Sequence, residues 1–307
     1  MRVLAHIHTL NDADIIDRTI EAMLQQTHPL DGIRIVDNGS TDGTLERPSL
    51  SHAMVVRNKE NLGASGAIAG SMRFALDHGY DWIWVFDADS EPEPDALEKL
   101  LDLYAGFPPS LQEKVGFLAT LHHNVQDGIP RHGGLFARHA FPLDNPGSEA
   151  RYYPCHIVIW SGCLYRLAAV RQIGLPNPDY VIDWGEYEYA YRVMKAGYKA
   201  FIHQDARLRH NTHGHTSQIP VEVKVGPATL TFREAAPIRC YYTCRNSLYF
   251  SLYDAEEGRA GLLCTHALGV LHLTLNFLLR PRHHGAQIVA CLRGIWHGVT
   301  GNIAARY

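Results

Sequence analysis

Residues 82–89 read Trp-Ile-Trp-Val-Phe-Asp-Ala-Asp, an apolar run that ends in two aspartates. Five consecutive apolar residues predict a strand that is buried on both faces, because a strand with one solvent-exposed face alternates apolar and polar side chains. A strand of this kind belongs near the middle of a sheet. The sequence therefore predicts that Asp87 and Asp89 stand at the end of a central strand.

Strand and helix patterns alternate on the N-terminal side of this run. Further strands are predicted at 3–9, 32–36 and 54–57, and helices at 12–26 and 65–78. The alternation predicts an α/β fold with a mostly parallel sheet flanked by helices. Ligands of such sheets bind beyond the carboxyl ends of the strands, so the residues that follow the strands form a candidate site. They are Thr9 with Asn11, residues 37–41, residues 58–63 and residues 87–89.

The later part of the chain is predicted to be less regular. Residues 115–147 are rich in Gly, Pro and His, which is typical of a long loop, and residues 208–225 form a second irregular segment. One more strand is predicted at 199–203, and helices at 186–195, 237–253, 260–280 and 287–297. We divide the chain into a domain at 1–225, with halves at 1–115 and 116–225, and a C-terminal helical region at 226–307.

The composition argues against several classes of protein. The 307 residues carry a net charge of −4, and without a basic excess we expect no nucleic-acid partner. The first residues lack the pattern of a secretory signal, and the six cysteines are scattered along the chain. These features predict a reduced, cytoplasmic protein.

The aspartate pair after the central strand is a candidate metal site. A turn at Asp87 can bring both carboxylates toward one cation, and Mg²⁺ or Mn²⁺ prefers carboxylates together with phosphate oxygens. Such an ion would neutralise the charge on a departing nucleoside diphosphate. An isolated Asp-x-Asp more often caps a turn, but this pair ends the most apolar strand at the edge where a ligand is expected.

Several separated motifs resemble those of the family 2 glycosyltransferases. They follow the family's order and spacing over residues 1–100: Thr9 with Asn11, Gln26-Thr27, residues 35–44 (Ile-Val-Asp-Asn-Gly-Ser-Thr-Asp-Gly-Thr), Asn61-Leu62-Gly63 with Gly66, and Asp87-Ala88-Asp89. The chain is most similar to the bacterial rhamnosyltransferase and galactofuranosyltransferase branch. The resemblance implies a GT-A (Rossmann-like) fold, to which the C-terminal helices add an annex, and transfer of a sugar from a nucleotide donor with inversion.

The resemblance also implies which residues bind the donor. It places at Asp37 a carboxylate that accepts the N–H of the base, which suits uracil or thymine and hence a UDP- or dTDP-sugar. Residues 38–43 supply glycines and short hydroxyl side chains that suit ribose and phosphate. The other donor-binding candidates are Thr9, Asn11, Asn38, Asn61, Gly63, Asp87, Ala88 and Asp89.

Inverting transfer needs a carboxylate that removes the proton of the attacking hydroxyl. Counted back from Arg192, the resemblance puts this base at Glu186, and Asp183 is the alternative. Glu186 stands where the family usually has Asp, and Gly185 stands where a second Asp is common. Because a helix N-terminus favours the ionised form of a carboxyl group, we expect Glu186 to be charged.

The acceptor-binding candidates are Ser161, Gly162 and Trp184. Residues 160–163 (Trp-Ser-Gly-Cys) resemble the small-residue turn that faces the acceptor in the family, where Gly162 would leave room for a sugar. The face of Trp184 suits stacking on a sugar ring, although a core Trp is expected equally often. Residues 241–246 (Tyr-Tyr-Thr-Cys-Arg-Asn) also resemble this branch and are expected to close one side of the site.

Histidines cluster at 210–215, which read His-Asn-Thr-His-Gly-His. The cluster lacks the paired ligands and spacing of a structural zinc site. The resemblance instead implies a single His that completes the divalent site beside Asp89, with His210 as the first choice and His213 as the second. The predicted Mn²⁺ or Mg²⁺ ligands are therefore Asp87, Asp89 and His210.

Residues 260–279 contain no formally charged side chain and are long enough to consider as a membrane span. Thr265, Gly269, His272 and Asn276 recur along one side, which indicates an amphipathic helix instead. Such a helix suits packing within the protein, a homo-oligomer contact, or membrane contact through residues 260–284, where basic residues follow it. In the last case the protein would work at the inner face of the plasma membrane.

Together these observations predict an inverting, metal-dependent glycosyltransferase that modifies a glycan or a lipid-linked saccharide, with rhamnose or galactofuranose as the favoured sugar. A sugar-phosphate nucleotidyltransferase would show a Gly-rich basic loop where residues 8–11 read His-Thr-Leu-Asn, and a dehydrogenase would show GxGxxG there. A non-catalytic nucleotide-sugar-binding protein of the same fold is a further alternative, because Gly185 and Glu186 depart from the family pattern.

Overall fold

The computed structural model describes residues 1–125, 130–136, 140–142, 150–211, 220–225, 228–233, 235–256, 258–278 and 284–307. The strands are β1 (Val3–Thr9), β2 (Gly32–Asp37), β3 (Met54–Arg57), β4 (Trp82–Asp87), β5 (Ser90–Pro92), β6 (Val115–Asn124), β7 (Pro130–Arg131), β8 (Gly134–Phe136), β9 (Ala140–Pro142), β10 (Tyr152–Cys155), β11 (Cys163–Arg166), β12 (Lys199–His210), β13 (Pro220–Val225) and β14 (Ala228–Arg233). The helices are α1 (Ile16–Leu24), α2 (Gly63–Asp77), α3 (Ala96–Gly106), α4 (Pro109–Gln112), α5 (Leu167–Ile173), α6 (Gly185–Lys195), α7 (Pro237–Tyr249), α8 (Arg259–Leu278) and α9 (Gly285–Val299).

The main sheet has the strand order β10-β12-β6-β11-β4-β1-β2-β3, with β5 and β7 added at β12 and β6. Strands β1, β2, β3 and β4 pair in parallel, as do β6 and β12, whereas β10 and β11 run antiparallel to their neighbours. Strand β4 lies between β1 and β11 in the interior of the sheet. The predictions of an α/β fold, a mostly parallel sheet and a central strand at 82–86 are confirmed.

Helices cover both faces of β4, as its unbroken apolar run predicts. Trp82, Trp84 and Phe86 point to one face and pack in a core with residues of α1 and α3. Ile83 and Val85 point to the other face and pack with residues of α2, α5 and α6. Successive side chains of a strand alternate between faces, so burial on both sides requires this uninterrupted apolar sequence.

The prediction of a loop at 115–147 is wrong in its first part. Residues Val115–Asn124 form β6, which pairs with β11 and β12 and is buried along most of its length. The polar residues Thr120 and His122 obscured this strand in the sequence, yet both side chains are buried in the sheet. Of the remainder, residues 126–129, 137–139 and 143–149 lie outside the described residues.

The second predicted loop, 208–225, is also partly regular. Residues 208–210 are the end of β12, which extends seven residues beyond the predicted strand at 199–203. Residues Pro220–Val225 pair with Ala228–Arg233 as an antiparallel hairpin. Residues 212–219, which include the second-choice metal ligand His213, lie outside the described residues.

The predicted C-terminal helices are confirmed as α7, α8 and α9. Their shared core contains Tyr241, Cys244, Val270, Phe277 and Cys291, together with Val181 from the segment before α6. The C-terminal helices therefore pack against the segment that leads into the predicted base helix.

Candidate active site

The parallel strands β1, β2 and β4 bring their carboxyl ends to one edge of the sheet. Thr9 lies opposite Asp37 in the β1–β2 pairing, and His8 lies opposite Asp87 in the β1–β4 pairing. Arg57, which precedes the segment 58–63, lies opposite Asp37 in the β2–β3 pairing, so all four predicted segments meet by strand register alone. The edge carries two buried or half-buried carboxylates, as expected for a site that holds a charged ligand.

Asp87, Asp89 and His210 form a cluster in which one ligand atom from each lies within 4.8 Å of the others. His210 reaches the cluster because β12 is long enough to pair with β5, which places His210 opposite Ser90. The Oδ1 atom of Asp89 is buried and has no hydrogen bond among the described residues, and it lies 3.5 Å from His210 Nδ1. Two carboxylates, an imidazole and an unsatisfied buried oxygen fit the coordination of Mn²⁺ or Mg²⁺.

The pKa values of the two aspartates are shifted in opposite directions. Burial opposes ionisation of Asp87, but the hydrogen bond and the charge of His8 outweigh it and lower its pKa to about 2. Burial, with the charges of Asp87 and Asp12, raises the pKa of Asp89 to about 6. A cation at the cluster would favour the ionised form of Asp89, because it would offset the charge of Asp87.

A network of hydrogen bonds surrounds the cluster of Asp87, Asp89 and His210. The hydroxyl of Ser161 donates to Ser90 Oγ at 2.7 Å and accepts from the backbone N–H of Asp87 at 3.2 Å. Ser90 Oγ lies 2.8 Å from His210 Nδ1, and His122 Nε2 lies 2.5 Å from the carbonyl of Ser161. These contacts tie the two aspartates to β12 and β6.

Three residues that support the cluster were not predicted from the sequence motifs: His8, Ser90 and His122. His8 Nε2 lies 3.0 Å from Asp87 Oδ1. Burial, strengthened by the charge of His210, lowers the pKa of His122 to about 3, so its ring is neutral at pH 7. The only sequence signal for His8 was its place one residue before Thr9 at a strand end.

The predicted acceptor residues Ser161 and Gly162 are both buried beneath the cluster. Ser161 is fully buried and uses its hydroxyl in the network described above. Gly162 has a φ of 77°, and a Cβ at this position would overlap Thr120 Oγ1. The local packing therefore requires glycine here whether or not an acceptor approaches.

Asp37 is fully buried at the end of β2, where it anchors the loop that follows. It accepts backbone hydrogen bonds from Gly39 at 3.2 Å and Ser40 at 3.1 Å, and Arg57 Nε lies 3.5 Å from its Oδ2. The turn after β2 is thereby held open at the sheet edge. Contact of this carboxylate with a nucleotide base stays a prediction.

The other predicted donor residues hold neighbouring loops together. Thr9 Oγ1 donates to Asp12 Oδ2 at 2.8 Å, and Asn11 Oδ1 accepts from the backbone N–H of Thr41 at 2.8 Å. Asn38 Nδ2 donates to the carbonyl of Gly63 at 3.3 Å, and Asn61 Oδ1 accepts from the N–H of Gly63 at 2.8 Å. Ala88 is buried, and its carbonyl accepts from Thr19 Oγ1 at 2.7 Å.

Glu186 lies in the first turn of α6, and its pKa is raised to about 7. Burial is the main cause, and the charges of Asp183 and Asp87 add to it. This differs from the expectation of a charged carboxylate, because burial outweighs the helix dipole. The contribution of Asp87 to this pKa means that Glu186 lies within electrostatic range of the metal cluster.

The packing of α6 accounts for Gly185. A Cβ at this position would overlap Ser65 Oγ on α2, so a larger residue here requires the Ser65 side chain to move. Glycine thus lets the first turn of α6 lie close to α2 without a change at Ser65.

Asp183, the alternative base, is engaged by α7. Arg239 Nη2 lies 2.7 Å from Asp183 Oδ1, and Thr243 Oγ1 donates to Asp183 Oδ2 at 2.8 Å. The backbone of Asp183 is in the left-handed region, with a φ of 56°. Both carboxylate oxygens thus have strong partners, which favours Glu186 as the proton acceptor.

Trp184, the residue before α6, contributes to a cavity of about 510 Å³ that is also lined by residues of α7 and α8. Its ring packs against Tyr187, Phe250 and His266, with centroid distances of 4.7, 5.8 and 4.4 Å. The polar side chains that line the cavity include those of Arg239, Thr243, His266, His272 and Asn276. An aromatic ring surrounded by hydrogen-bonding groups is the kind of surface that binds a saccharide.

Comparisons with known proteins agree with this architecture. The relatives include galactofuranosyltransferase GlfT1 of Mycolicibacterium smegmatis, 25% identical over 202 residues, which are 64% of this chain and 66% of that protein. Undecaprenyl-phosphate mannosyltransferase of Micrococcus luteus is 34% identical over 110 residues, 33% of this chain and 44% of that protein. The chain thus spans just under two thirds of the GlfT1 relative.

Solved structures share the fold at low sequence identity. S. aureus TarS 1-349 in complex with UDP-GlcNAc has a TM-score of 0.60 and 14% identity, covering 97% of this chain and 82% of that one. GalNAc-T7 with UDP, GalNAc and Mn²⁺ has a TM-score of 0.55 and 16% identity, covering 69% and 44%. The expectation of a GT-A fold is confirmed.

The sequence model described as Glycosyl transferase family 2 matches residues 5–174, more than half of the chain. The match contains most of β1, all of β2 to β4, the aspartate pair and the strand-end loops that form the edge described above. This chain belongs to the family 2 glycosyltransferases.

Proposed function

We propose that this glycosyltransferase is metal-dependent and inverting, and that it moves a sugar from a UDP- or dTDP-sugar to a saccharide acceptor. The observation that carries the proposal is the cluster of Asp87, Asp89 and His210, with Glu186, whose pKa is about 7, within electrostatic range of Asp87. One cluster suits a diphosphate and its cation, and the single carboxyl group suits proton transfer. The site therefore has the two chemical functions that the reaction requires.

Asp87, Asp89 and His210 would hold the divalent cation, Mn²⁺ or Mg²⁺. When bound, this ion supplies positive charge to the two phosphates of the donor. The chain itself holds Asp87 in place through His8 and Ser161, and Ser90 supports Ser161. Asp37 and the loops at 38–43 and 58–63 would bind the nucleoside.

Glu186 would act as the general base. In its ionised form it would take the proton of the acceptor hydroxyl while the oxygen forms a bond to the anomeric carbon and the bond from that carbon to the donor phosphate breaks. A base with a pKa near the working pH has both a useful ionised fraction and a sufficient affinity for the proton. Arg239 and Thr243 keep the neighbouring Asp183 engaged, which leaves this role to Glu186.

The cavity beside Trp184 would receive the acceptor saccharide. The cavity is lined by Arg239, which pairs with Asp183, and by Trp184, which stands two residues before Glu186 in the chain. Trp184 is held on three sides by rings and would present its face without further ordering. We assign the acceptor to this cavity rather than to Ser161 and Gly162, which are buried under the cluster.

Galactofuranose is the donor sugar that we favour, with rhamnose second, because the GlfT1 relative is named as a galactofuranosyltransferase. A lipid-linked saccharide is the favoured acceptor, since the second relative is named for an undecaprenyl phosphate. We keep the division at residue 225 and a cytoplasmic location as parts of the proposal. All six cysteines are free, which suits a reducing compartment.

A donor screen tests the proposed function. Hydrolysis of UDP- and dTDP-sugars would be measured with and without Mn²⁺, for the unaltered chain, Asp89→Ala and Glu21→Gln, an exposed carboxylate on α1 that serves as control. We expect metal-stimulated hydrolysis of one donor class, its loss in Asp89→Ala and its retention in Glu21→Gln. Full turnover in chelator would contradict the metal, and donor binding without any turnover would favour the non-catalytic alternative.

A further inference from the structure

Helix α8 carries an exposed apolar stripe. Leu268, Leu271, Leu275 and Leu278 follow one another at spacings of three and four residues, so they form one stripe on the helix, and all four are exposed. Leu268 alone is 66% exposed. Elsewhere on the helix, His266 and Asn276 line the cavity next to Trp184, and Val270 and Phe277 are buried against the protein. A surface helix of a water-soluble protein usually turns polar residues to solvent, so an exposed stripe of four leucines is unusual.

Helix α9 has an apolar stripe with the same spacing. Val289, Leu292, Trp296 and Val299 are all exposed, and Trp296 is 67% exposed. The opposite side of α9 is small and buried, and Gly294 and Gly298 allow close contact with α7. Two helices that pack on each other therefore each carry an exposed apolar stripe, a larger apolar surface than scattered surface residues explain.

The charge of the chain is unevenly distributed between the segment that contains α8 and α9 and the rest of the protein. Residues 259–307 contain five arginines and no aspartate or glutamate, whereas the net charge of −4 for the whole chain leaves −9 for residues 1–258. Residues 259–307 thus carry a net charge of +5 in sequence and include both exposed apolar stripes. A basic segment with exposed apolar stripes matches the charge and the polarity of an anionic lipid surface.

We propose that the exposed stripes of α8 and α9 dock the protein on an anionic lipid bilayer. Each leucine or tryptophan that enters the interface gains the free energy of leaving water, and the arginines add attraction to the headgroups. Trp296 suits the boundary between headgroups and acyl chains, where its ring and N–H are both accommodated. This inference goes beyond the proposed transfer reaction and does not depend on it.

The geometry favours docking on the surface over crossing the bilayer. Among the described residues α8 is a helix long and apolar enough to span a membrane, and 28% of its most apolar stretch is buried. Length and composition alone are weak grounds for a span. Val270, Thr274, Asn276 and Phe277 are buried against the rest of the protein, so α8 could cross a membrane only by leaving these contacts.

Sedimentation with vesicles tests the proposal on the whole chain in the absence of any nucleotide-sugar. We expect binding to phosphatidylcholine vesicles that contain phosphatidylglycerol, weak binding to phosphatidylcholine alone, and release in high salt because salt screens the arginines. The Leu271→Glu/Leu275→Glu variant should bind at least ~10-fold more weakly, since each lost leucine contributes that much or more. Leu24→Glu, which introduces one glutamate at an exposed leucine of α1, is the control for the single variant Leu271→Glu and should bind like the unaltered chain.

Circular dichroism would establish that both variants fold. If the double variant does not fold, the milder Leu271→Ser variant replaces it. Equal binding by the stripe variant and the control would overturn the proposal. Retention that resists salt and yields only to detergent would overturn it in favour of a span. A dimer in solution that Leu271→Glu converts to a monomer, without binding to vesicles, would show instead that the stripes contact a second copy of the chain.

Discussion

Arg239 on α7 binds Asp183 three residues before Glu186, with Nη2 of the arginine 2.7 Å from Oδ1 of the aspartate. Two buried neighbours on α7 reinforce this contact: Asn246 donates to the carbonyls of Ile182 and Asp183 at 2.8 and 2.9 Å, and Arg245 donates to the carbonyl of Asp179 at 2.6 Å. The C-terminal helices thus determine the conformation of the segment that begins α6. They act on the site through its backbone.

Replacement of Glu186 tests the choice between the two candidate bases. Glu186→Gln removes the proton acceptor and keeps the size of the side chain, so we expect turnover to fall by ~10²–10⁴ while donor binding changes little. Asp183→Asn should mainly weaken the contact with Arg239 and lower turnover less. Steady-state kinetics of both variants with donor binding by calorimetry would measure this, and the reverse order of effects would move the base to Asp183.

The pH dependence of transfer follows from the pKa of Glu186. A general base must be ionised, and its pKa of about 7 means that the active form is lost as the pH falls through 7. We expect the rate to rise ~10-fold per pH unit below pH 7 and to level off above it. A rate profile of the unaltered chain from about two pH units below this pKa to about two units above it measures this. A flat profile would exclude Glu186 as the base.

The same pKa predicts that Glu186 destabilises the fold at high pH. Its pKa in the folded protein is about 7, against an ordinary value of 4.5, so the folded protein binds more protons than the unfolded chain between these values. Stability therefore falls as the pH rises through that window, by up to about 3 kcal/mol. We expect Glu186→Gln to raise the free energy of unfolding above pH 7 and to have little effect near pH 4. Urea unfolding of this variant and of Glu21→Gln at both pH values provides the comparison, in which a lower stability of Glu186→Gln above pH 7 would refute the expectation.

His8 should act as a positioning residue for Asp87. Its Nε2 lies 3.0 Å from one carboxylate oxygen of Asp87, which orients the other oxygen. We expect His8→Asn to weaken Mn²⁺ binding by ~10–100-fold, as for other residues that orient metal ligands. Titration of Mn²⁺ followed by its electron paramagnetic resonance measures the affinity, with His52→Asn at an exposed position as control. Equal affinities for the two variants would remove His8 from the site.

Gly63 should be essential to the fold, whereas Gly70 on the same helix should not. Gly63 has a φ of 68°, and a Cβ there would overlap the carbonyl of Val181, in the segment that leads to Glu186. Gly70 is helical and has no atom within 4 Å of an added Cβ. We expect Gly63→Ala to destabilise by ~2 kcal/mol or more and Gly70→Ala to stabilise by ~0.5–1 kcal/mol. Thermal unfolding of both variants measures this, and a Gly63→Ala protein as stable as the parent would contradict the structure at this contact.

The alternation of strands and helices and the position of the aspartate pair could be predicted from the sequence, because they depend on local periodicity and on how polar residues end a buried strand. The run at 82–86 is apolar in every residue, so it predicts its own burial. The strand β6 could not be recognised in this way, since Thr120 and His122 are polar and become buried only through the partners that β11 and β12 provide.

The motifs determined, from the sequence alone, the family and the residues that gather at the sheet edge. Only the tertiary structure decided that His8 meets Asp87 through strand register, that burial raises the pKa of Glu186, and that α8 turns its leucines outward. The physical reason is that periodicity is a property of neighbours along the chain. Register, burial and electrostatic environment arise between residues distant in sequence, and they exist only once the chain has folded.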